Sequence, residues 1–267
     1  MRKILFVIDN LGSGGAQRHL INIANGLSKV YLVKILLYNN RSESFYKVNK
    51  NIEIKEIKKA KFKGFNLRVI INIWKEIKHS NFIFSFMPTG NIYCLLSRLF
   101  FNFDNKIICN EVSIKSRHEK ISKRIITNIL YSQADHIVCN TVHQARNLRR
   151  FPFLRNKVST IYNGSEEKRF VYRVKKGFRE KVFIIVGRIA YPKNGLMILK
   201  ALKLFYKRND FLPQIQWAGR IDNSTFKDLK LFNDMQLFLK RNKQIKSNFH
   251  LLGEIKDIDK LFKTADG

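Results

Sequence analysis

"KILFVIDNLGSGGAQRHL" (residues 3–20) decides how the rest of the chain is read. An apolar run, 3–8, has the character of a buried strand. Glycines follow at 12, 14 and 15, and then Leu20, Ile23, Ala24 and Leu27 recur at helical spacing. Strand, glycine turn and helix in that order open a βαβ unit. A loop without side chains at a helix start leaves free N–H groups that favour an anion. The same glycines also suit a plain strand-to-helix turn, and at this point both readings stand. A P-loop is excluded, because no Gly-Lys-Ser/Thr follows. The dinucleotide fingerprint is half met by Gly12 and Gly14. However, Gln17 takes the third glycine's place, and the next strand-like run ends in Asn39 and Asn40 where a ribose calls for a carboxylate.

Outward from this stretch the rhythm repeats. Strand-like runs occupy 31–38, 52–57, 82–86, 106–109, 136–139 and 157–162. Leu67, Ile70, Ile71, Trp74 and Ile77 mark one helical face, and further helical stretches cover 91–102, 119–133 and 142–150. The alternation predicts a mostly parallel sheet with helices on both faces. After a charge-rich stretch at 161–181 it restarts with "VFIIVG" (182–187), a helix over 195–208, "QIQWAG" (214–219), a long helix through 240 and "FHLL" (249–252). The expected fold is α/β with two Rossmann-like domains: 1–165, a linker at 166–181, and 182–267. The second domain is expected to be incomplete.

Lysine and arginine number 51 against 20 acidic residues, a formal charge of +31. Such a surface is drawn to an acidic membrane face, nucleic acid or phosphorylated substrates. The charge is scattered and no recognition module is visible, so nucleic acid is not an expected partner. Cys94, Cys109 and Cys139 are odd in number and far apart; they fit neither a zinc site nor a disulfide framework and read as buried thiols. The N-terminus lacks a signal-peptide layout, so a cytoplasmic protein is expected. The apolar patch 91–103 is too short to span a bilayer and is broken by Arg98, which makes it a core helix whose aromatic end can touch a membrane.

Six fragments, in order, resemble the retaining family-4 glycosyltransferases of GT-B fold. "GGAQR" (14–18) resembles their GGAER-type loop, "SQADHIVCNT" (132–141) their ADxIVxxS strand, and "VSTIYNG" (158–164) their IxNGID closure. "VGRIAYPKNGLMILKAL" (186–202) resembles VGRLxxxKG, "WAGRID" (217–222) xAGxG, and "FHLLGEIKDIDKLFKTADG" (249–267) FLGxxxDVxxLYxxAD. "CNEVS" (109–113) is similar to their ERN element.

The resemblance implies transfer of a sugar from a nucleoside-diphosphate sugar to an acceptor hydroxyl with retained anomeric configuration. Neither cofactor nor metal is implied. The setting it implies is surface-polysaccharide or lipopolysaccharide synthesis, on a lipid-linked or glycan acceptor at the inner face of the membrane. Arg188 and Lys193 would grip the departing diphosphate, a planar fork beside a mobile point charge. Gly12, Gly14 and Gly15 would approach the same diphosphate or the sugar from across the cleft. Ile255 matches the position that meets the nucleobase, and Glu111 and His118 would orient or deprotonate the acceptor. His19 reads as a surface or capping histidine.

One departure stands out. The family's E-x7-E pair normally follows the final "AD", and Asp257 and Asp259 belong to the helix before it. A chain ended early would leave "VFIIVG" as a sheet edge and the donor site half built. A catalytically inactive remnant that still binds nucleotide is the alternative expectation.

Overall fold

The computed structural model describes residues 1–39, 44–57, 66–111, 121–164 and 181–266. His118, most of the expected linker and the end of "CNEVS" lie outside them. The chain divides into two compact units, Met1–Ser165 and Glu166–Gly267.

In the first unit the order is β1 (Lys3–Ile8), α1 (Gly15–Leu27), β2 (Leu32–Leu37), β3 (Glu53–Glu56), α2 (Leu67–Ile77), β4 (Phe82–Phe86) and α3 (Met87–Phe101). Then come β5 (Lys106–Glu111), α4 (Ile121–Tyr131), β6 (His136–Cys139), α5 (Val142–Arg149) and β7 (Val158–Thr160). The sheet runs β3-β2-β1-β4-β5-β6-β7, with every pairing parallel. β1 lies inside it, in register with β2 from Lys3 opposite Leu32 to Ile8 opposite Leu37. A strand covered on both faces has no polar side to show, which is why 4–8 reads as one apolar run. Alternation sends Leu5 and Val7 into a core shared with α2, α3 and α5, and Ile4, Phe6 and Ile8 into a second core under α1. Cys94, Cys109 and Cys139 are all buried in the first of these cores. Burial pushes the Cys94 thiol well up and that of Cys109 to about 12.

α2 forms where the periodicity predicts, but its inward face is rotated. Val69, Ile70, Ile73, Glu76 and Ile77 are buried, whereas Leu67 is exposed. An acid on this face is tolerated because Glu76 receives Lys55 at 2.6 Å and Lys34 at 3.0 Å. Burial alone would raise the Glu76 carboxyl; the two lysine hydrogen bonds outweigh it and hold the group below its ordinary value. A depressed carboxylate stabilises the fold above its unfolded pKa and loses that contribution as pH falls through the folded one. We therefore expect Glu76→Gln to cost about 1–2 kcal/mol at pH 7. In urea titrations the gap to the parent should close as the pH is lowered below 4.5. A gap independent of pH would show that the lysines do not act through the charge.

α3 starts at Met87, directly off the strand and earlier than the expected 91, with proline in its first turn, where the missing N–H costs nothing. Its Arg98 does not merely interrupt an apolar run. The guanidinium is largely buried, donating to Asp135 and to the Gln133 carbonyl at 2.7 Å each and also to the Asn105 carbonyl.

The second unit holds β8 (Val182–Val186), α6 (Gly195–Asn209), β9 (Gln214–Ala218), α7 (Phe226–Arg241), α8 (Lys243–Asn248), β10 (Phe249–Gly253) and α9 (Ile258–Phe262). Its parallel sheet runs β10-β9-β8. Trp217, fully buried, centres a core with Leu199, Leu202, Met235, Leu239 and Phe249. Among the described residues β8 borders the sheet, and its first residue is held from outside. Asp266 donates its N–H to the Val182 carbonyl at 2.8 Å and accepts from the Val182 N–H at 2.9 Å.

Candidate functional site

Open parallel sheets bind ligands beyond the carboxyl ends of their strands, and the expected site residues that the structure describes lie there. Off β1, Asn10 Oδ1 accepts the Gly12 N–H at 2.9 Å, and Gln17 reaches back to Asp9 Oδ1 at 3.3 Å. Gly14 is the N-cap of α1, extended at φ −157°, and no side chain caps the helix. The lack of a Cβ at Gly14 is what lets Gln17 fold over it, since an added Cβ would sit 2.2 Å from Gln17 Oε1. Beside Gly15 there is open space. The three glycines thus present one stretch of backbone at a helix start. His19 is half-buried, edge-on to Phe86, and burial lowers its pKa so that it is neutral at pH 7.

Met87, which no motif marks, adopts φ +70° at the carboxyl end of β4. That backbone is strained for a bulky side chain, and such strain gathers at functional edges.

At the end of β5, Glu111 is 2% exposed and accepts a short hydrogen bond from the Tyr131 hydroxyl. Tyr131 also receives Asn91 Nδ2 at 3.1 Å, and Asn91 Oδ1 takes the Ser85 hydroxyl at 2.8 Å. Burial, then the Glu111 charge, push the Tyr131 phenol far above its ordinary value, so it stays a donor. Glu111 therefore belongs to a buried polar chain that ties β5, α3 and α4 together.

In the second unit each strand ends in, or runs straight into, a glycine at positive φ: Gly187 at +145°, Gly219 at +156° and Gly253 at +71°. The sequence carries this as Val-Gly, Ala-Gly and Leu-Gly at the three strand ends. Arg188 follows Gly187, half-exposed, and pairs with the nearly buried Asp222 at 2.5 Å. Lys193 lies alongside, its Cε 3.3 Å from where a Gly187 Cβ would stand. Trp217 Nε1 supports the turn from below by donating to the Gly187 carbonyl at 2.8 Å. Asp228 accepts the Tyr191 N–H at 2.8 Å; its bonds from Thr225 and then Tyr191 hold its carboxyl below the usual range. Arg188 and Lys193 are thereby brought to one loop, with Asp222 and Asp228 as supports that spacing alone did not reveal. Ile255 is partly buried just beyond β10, where Gly253 accepts the Gly219 N–H at 2.7 Å.

Residues 13–169 match the model of Glycosyltransferase Family 4. A Campylobacter jejuni protein, GalNAc-alpha-(1->4)-GalNAc-alpha-(1->3)-diNAcBac-PP-undecaprenol alpha-1,4-N-acetyl-D-galactosaminyltransferase, is 29% identical over 218 residues, covering 76% of this chain and 57% of that protein. A second from the same organism, N-acetylgalactosamine-N,N'-diacetylbacillosaminyl-diphospho-undecaprenol 4-alpha-N-acetylgalactosaminyltransferase, is 23% identical, covering 75% and 59%. The chain thus spans less than two thirds of the length of these relatives. Among solved structures, Anabaena HepE in complex with UDP-glucose aligns with a TM-score of 0.74 at 14% identity, over 100% of this chain and 72% of that one. At that identity the likeness establishes the fold, a GT-B architecture, and no more.

Proposed function

The chain belongs to Glycosyltransferase Family 4, and from that premise we propose that it transfers a sugar from a nucleoside-diphosphate sugar to a hydroxyl of a lipid-linked acceptor in surface-glycan synthesis. The anomeric carbon–oxygen bond to the diphosphate breaks, a bond to the acceptor oxygen forms on the same face of the sugar, and the acceptor proton leaves. The negative charge that collects on the diphosphate is what the protein has to stabilise.

One observation carries the reading. Arg188 and Lys193 share the loop at the carboxyl end of β8, and Asp222 fixes the guanidinium. In this reading those cations, rather than a metal, neutralise the leaving group. Gly12, Gly14 and Gly15 let the donor come close to backbone N–H groups at the start of α1, and Ile255 meets the nucleobase. Glu111, being buried, is a positioning residue for the carboxyl end of β5, and His118 is left to meet the acceptor hydroxyl. The names of the two Campylobacter relatives, both undecaprenol-linked sugar transferases, support a lipid-linked acceptor and work at a membrane surface. No helix among the described residues is long and apolar enough to cross that membrane.

The test is calorimetric binding of UDP and other nucleoside diphosphates. We expect one of them to bind, and Arg188→Ala and Lys193→Ala each to weaken it about tenfold or more, the scale of one charge-assisted contact. If no nucleoside diphosphate binds, or if both variants bind as tightly as the parent, the proposal fails.

A further inference from the structure

Three polar side chains follow the glycines of α1, and the fold engages two of them. Gln17 reaches back to Asp9 Oδ1 at 3.3 Å, and Arg18 lies over the Tyr46 ring, 6.0 Å from its centroid. His19 makes no hydrogen bond among the described residues. The sequence reads it as a surface or capping histidine, and the structure corrects both. The N-cap is Gly14, and the imidazole is half-buried, packed edge-on to Phe86 with centroids 5.9 Å apart. Phe86 is fully buried at the carboxyl end of β4. Helical side chains lean towards the start of their helix, and residues four apart share a face. His19 therefore stands in line with Gly15, beside which there is open space.

A second unsatisfied group lies beside the same phenylalanine. Asn110 on β5 is the register partner of Phe86, so the two side chains leave the same face of the sheet. Asn110 is 4% exposed, and its Oδ1 has no hydrogen-bond partner. A buried amide oxygen without a donor is rare enough to call for an explanation. Two polar groups without partners thus flank one aromatic ring at the carboxyl edge of the first unit's sheet. Neither suits a phosphate. The amide oxygen only accepts, and the imidazole, kept neutral by burial, offers one N–H and one lone pair. A hydroxyl, which both donates and accepts, matches each of them. We propose that His19 and Asn110 form an acceptor subsite of the first unit, bonding hydroxyls of the receiving sugar other than the one that reacts. His19, only half-buried, is open to that sugar directly, and Asn110 lies deeper. The inference rests on the sugar-transfer reading for its ligand class and adds to it two residues that select and orient the acceptor.

Titration of the full chain with methyl α-glycosides of glucose, galactose and their N-acetylamino counterparts tests the subsite without any donor. The imidazole Cε1–H resonances are the readout. Of the six histidines, one resonance, missing from His19→Phe, is expected to move. His19→Phe keeps a ring against Phe86, so the melting temperature should hold. Its affinity for the glycosides should fall about fivefold, the scale of one lost hydrogen bond. His19→Gln, which retains a donor and an acceptor, should recover most of that loss, and Asn110→Ala should show a loss of the same kind. A His19 resonance that stays still with every glycoside overturns the proposal, as does equal affinity in His19→Phe. So does a resonance that moves with a nucleoside-diphosphate sugar and with no glycoside, because the hydroxyl then belongs to the donor. If His19→Phe loses stability as well, a folded His19→Gln that fails to recover affinity marks the imidazole as packing alone. Calorimetric binding of nucleoside diphosphates, expected to be unchanged in His19→Phe, judges the donor reading separately.

Discussion

Gly219→Ala should unfold the second unit. The glycine follows directly on β9 at φ +156°, and a Cβ there would stand 2.0 Å from the Gly187 carbonyl oxygen and 2.5 Å from its carbon. Both atoms are backbone, so no rotamer change relieves the clash; the turns after β8 and β9 have to separate. That separation strips Trp217 of the carbonyl it bonds and takes Arg188 away from Asp222, whose own loop follows Gly219. Backbone strain and steric overlap together place the cost at about 3 kcal/mol or more. Trp74 and Trp217 are the two tryptophans, one in each unit, so a Trp74→Phe background reports on the second unit alone. Urea unfolding in that background should begin at markedly lower denaturant for the alanine variant. An unchanged midpoint would mean that the two turns are not packed as described.

The second large effect is expected from Arg98→Ala. This side chain ties the end of α3 to the carbonyls of Asn105 and Gln133 and to Asp135, which also accepts the Ile107 N–H at 2.9 Å. Burial alone would raise the Asp135 carboxyl; the Ile107 N–H, Arg98 and Lys106 together hold it below its ordinary value, so it is charged at neutral pH. Deleting the arginine leaves that charge half-compensated and two carbonyls short of a donor, a loss of about 3 kcal/mol. Lysine at this position restores a charge but not the fork, and should recover less than about half of the loss. Trp74 is stacked on Phe101, three residues from Arg98, at a centroid distance of 4.2 Å, and its fluorescence in a Trp217→Phe background is the readout. Full rescue by lysine would show that charge alone matters at this corner.

Both cases show what a linear reading captures. β1 was legible because burial on two faces demands an unbroken run of Ile, Leu, Phe and Val over five residues, whereas β3, Glu-Ile-Lys-Glu, carries no such run. The glycine turns were legible for a related reason, since an apolar run that stops at glycine has few other meanings. Arg98 was not. Its partners are carbonyls and a carboxylate supplied by segments 7 to 37 residues away, and carbonyls carry no residue identity to search for. Glu111 reads as an acid near a loop, but its burial depends on Tyr131, 20 residues on. The rotated face of α2 was missed because two lysines on neighbouring strands make an inward glutamate acceptable, so apolarity ceased to mark the inside. Helix α4 defeats the same rule from the other direction, with Ile126 and Ile129 exposed and Asn128 buried. As for the candidate site, the motif placed Arg188 and Lys193 together after the apolar run 182–186, and the structure has both on the turn that follows β8. Asp222, which orients the arginine, emerges only when β8 and β9 lie side by side.

The three cysteines, all sealed in the first unit, have a practical corollary. With Cys94 and Cys109 held as protonated thiols, an alkylating reagent at mildly alkaline pH finds no nucleophile until that unit opens. The labelling rate is therefore a native clock for excursions of the N-terminal half, while the cysteine-free remainder runs silent beside it.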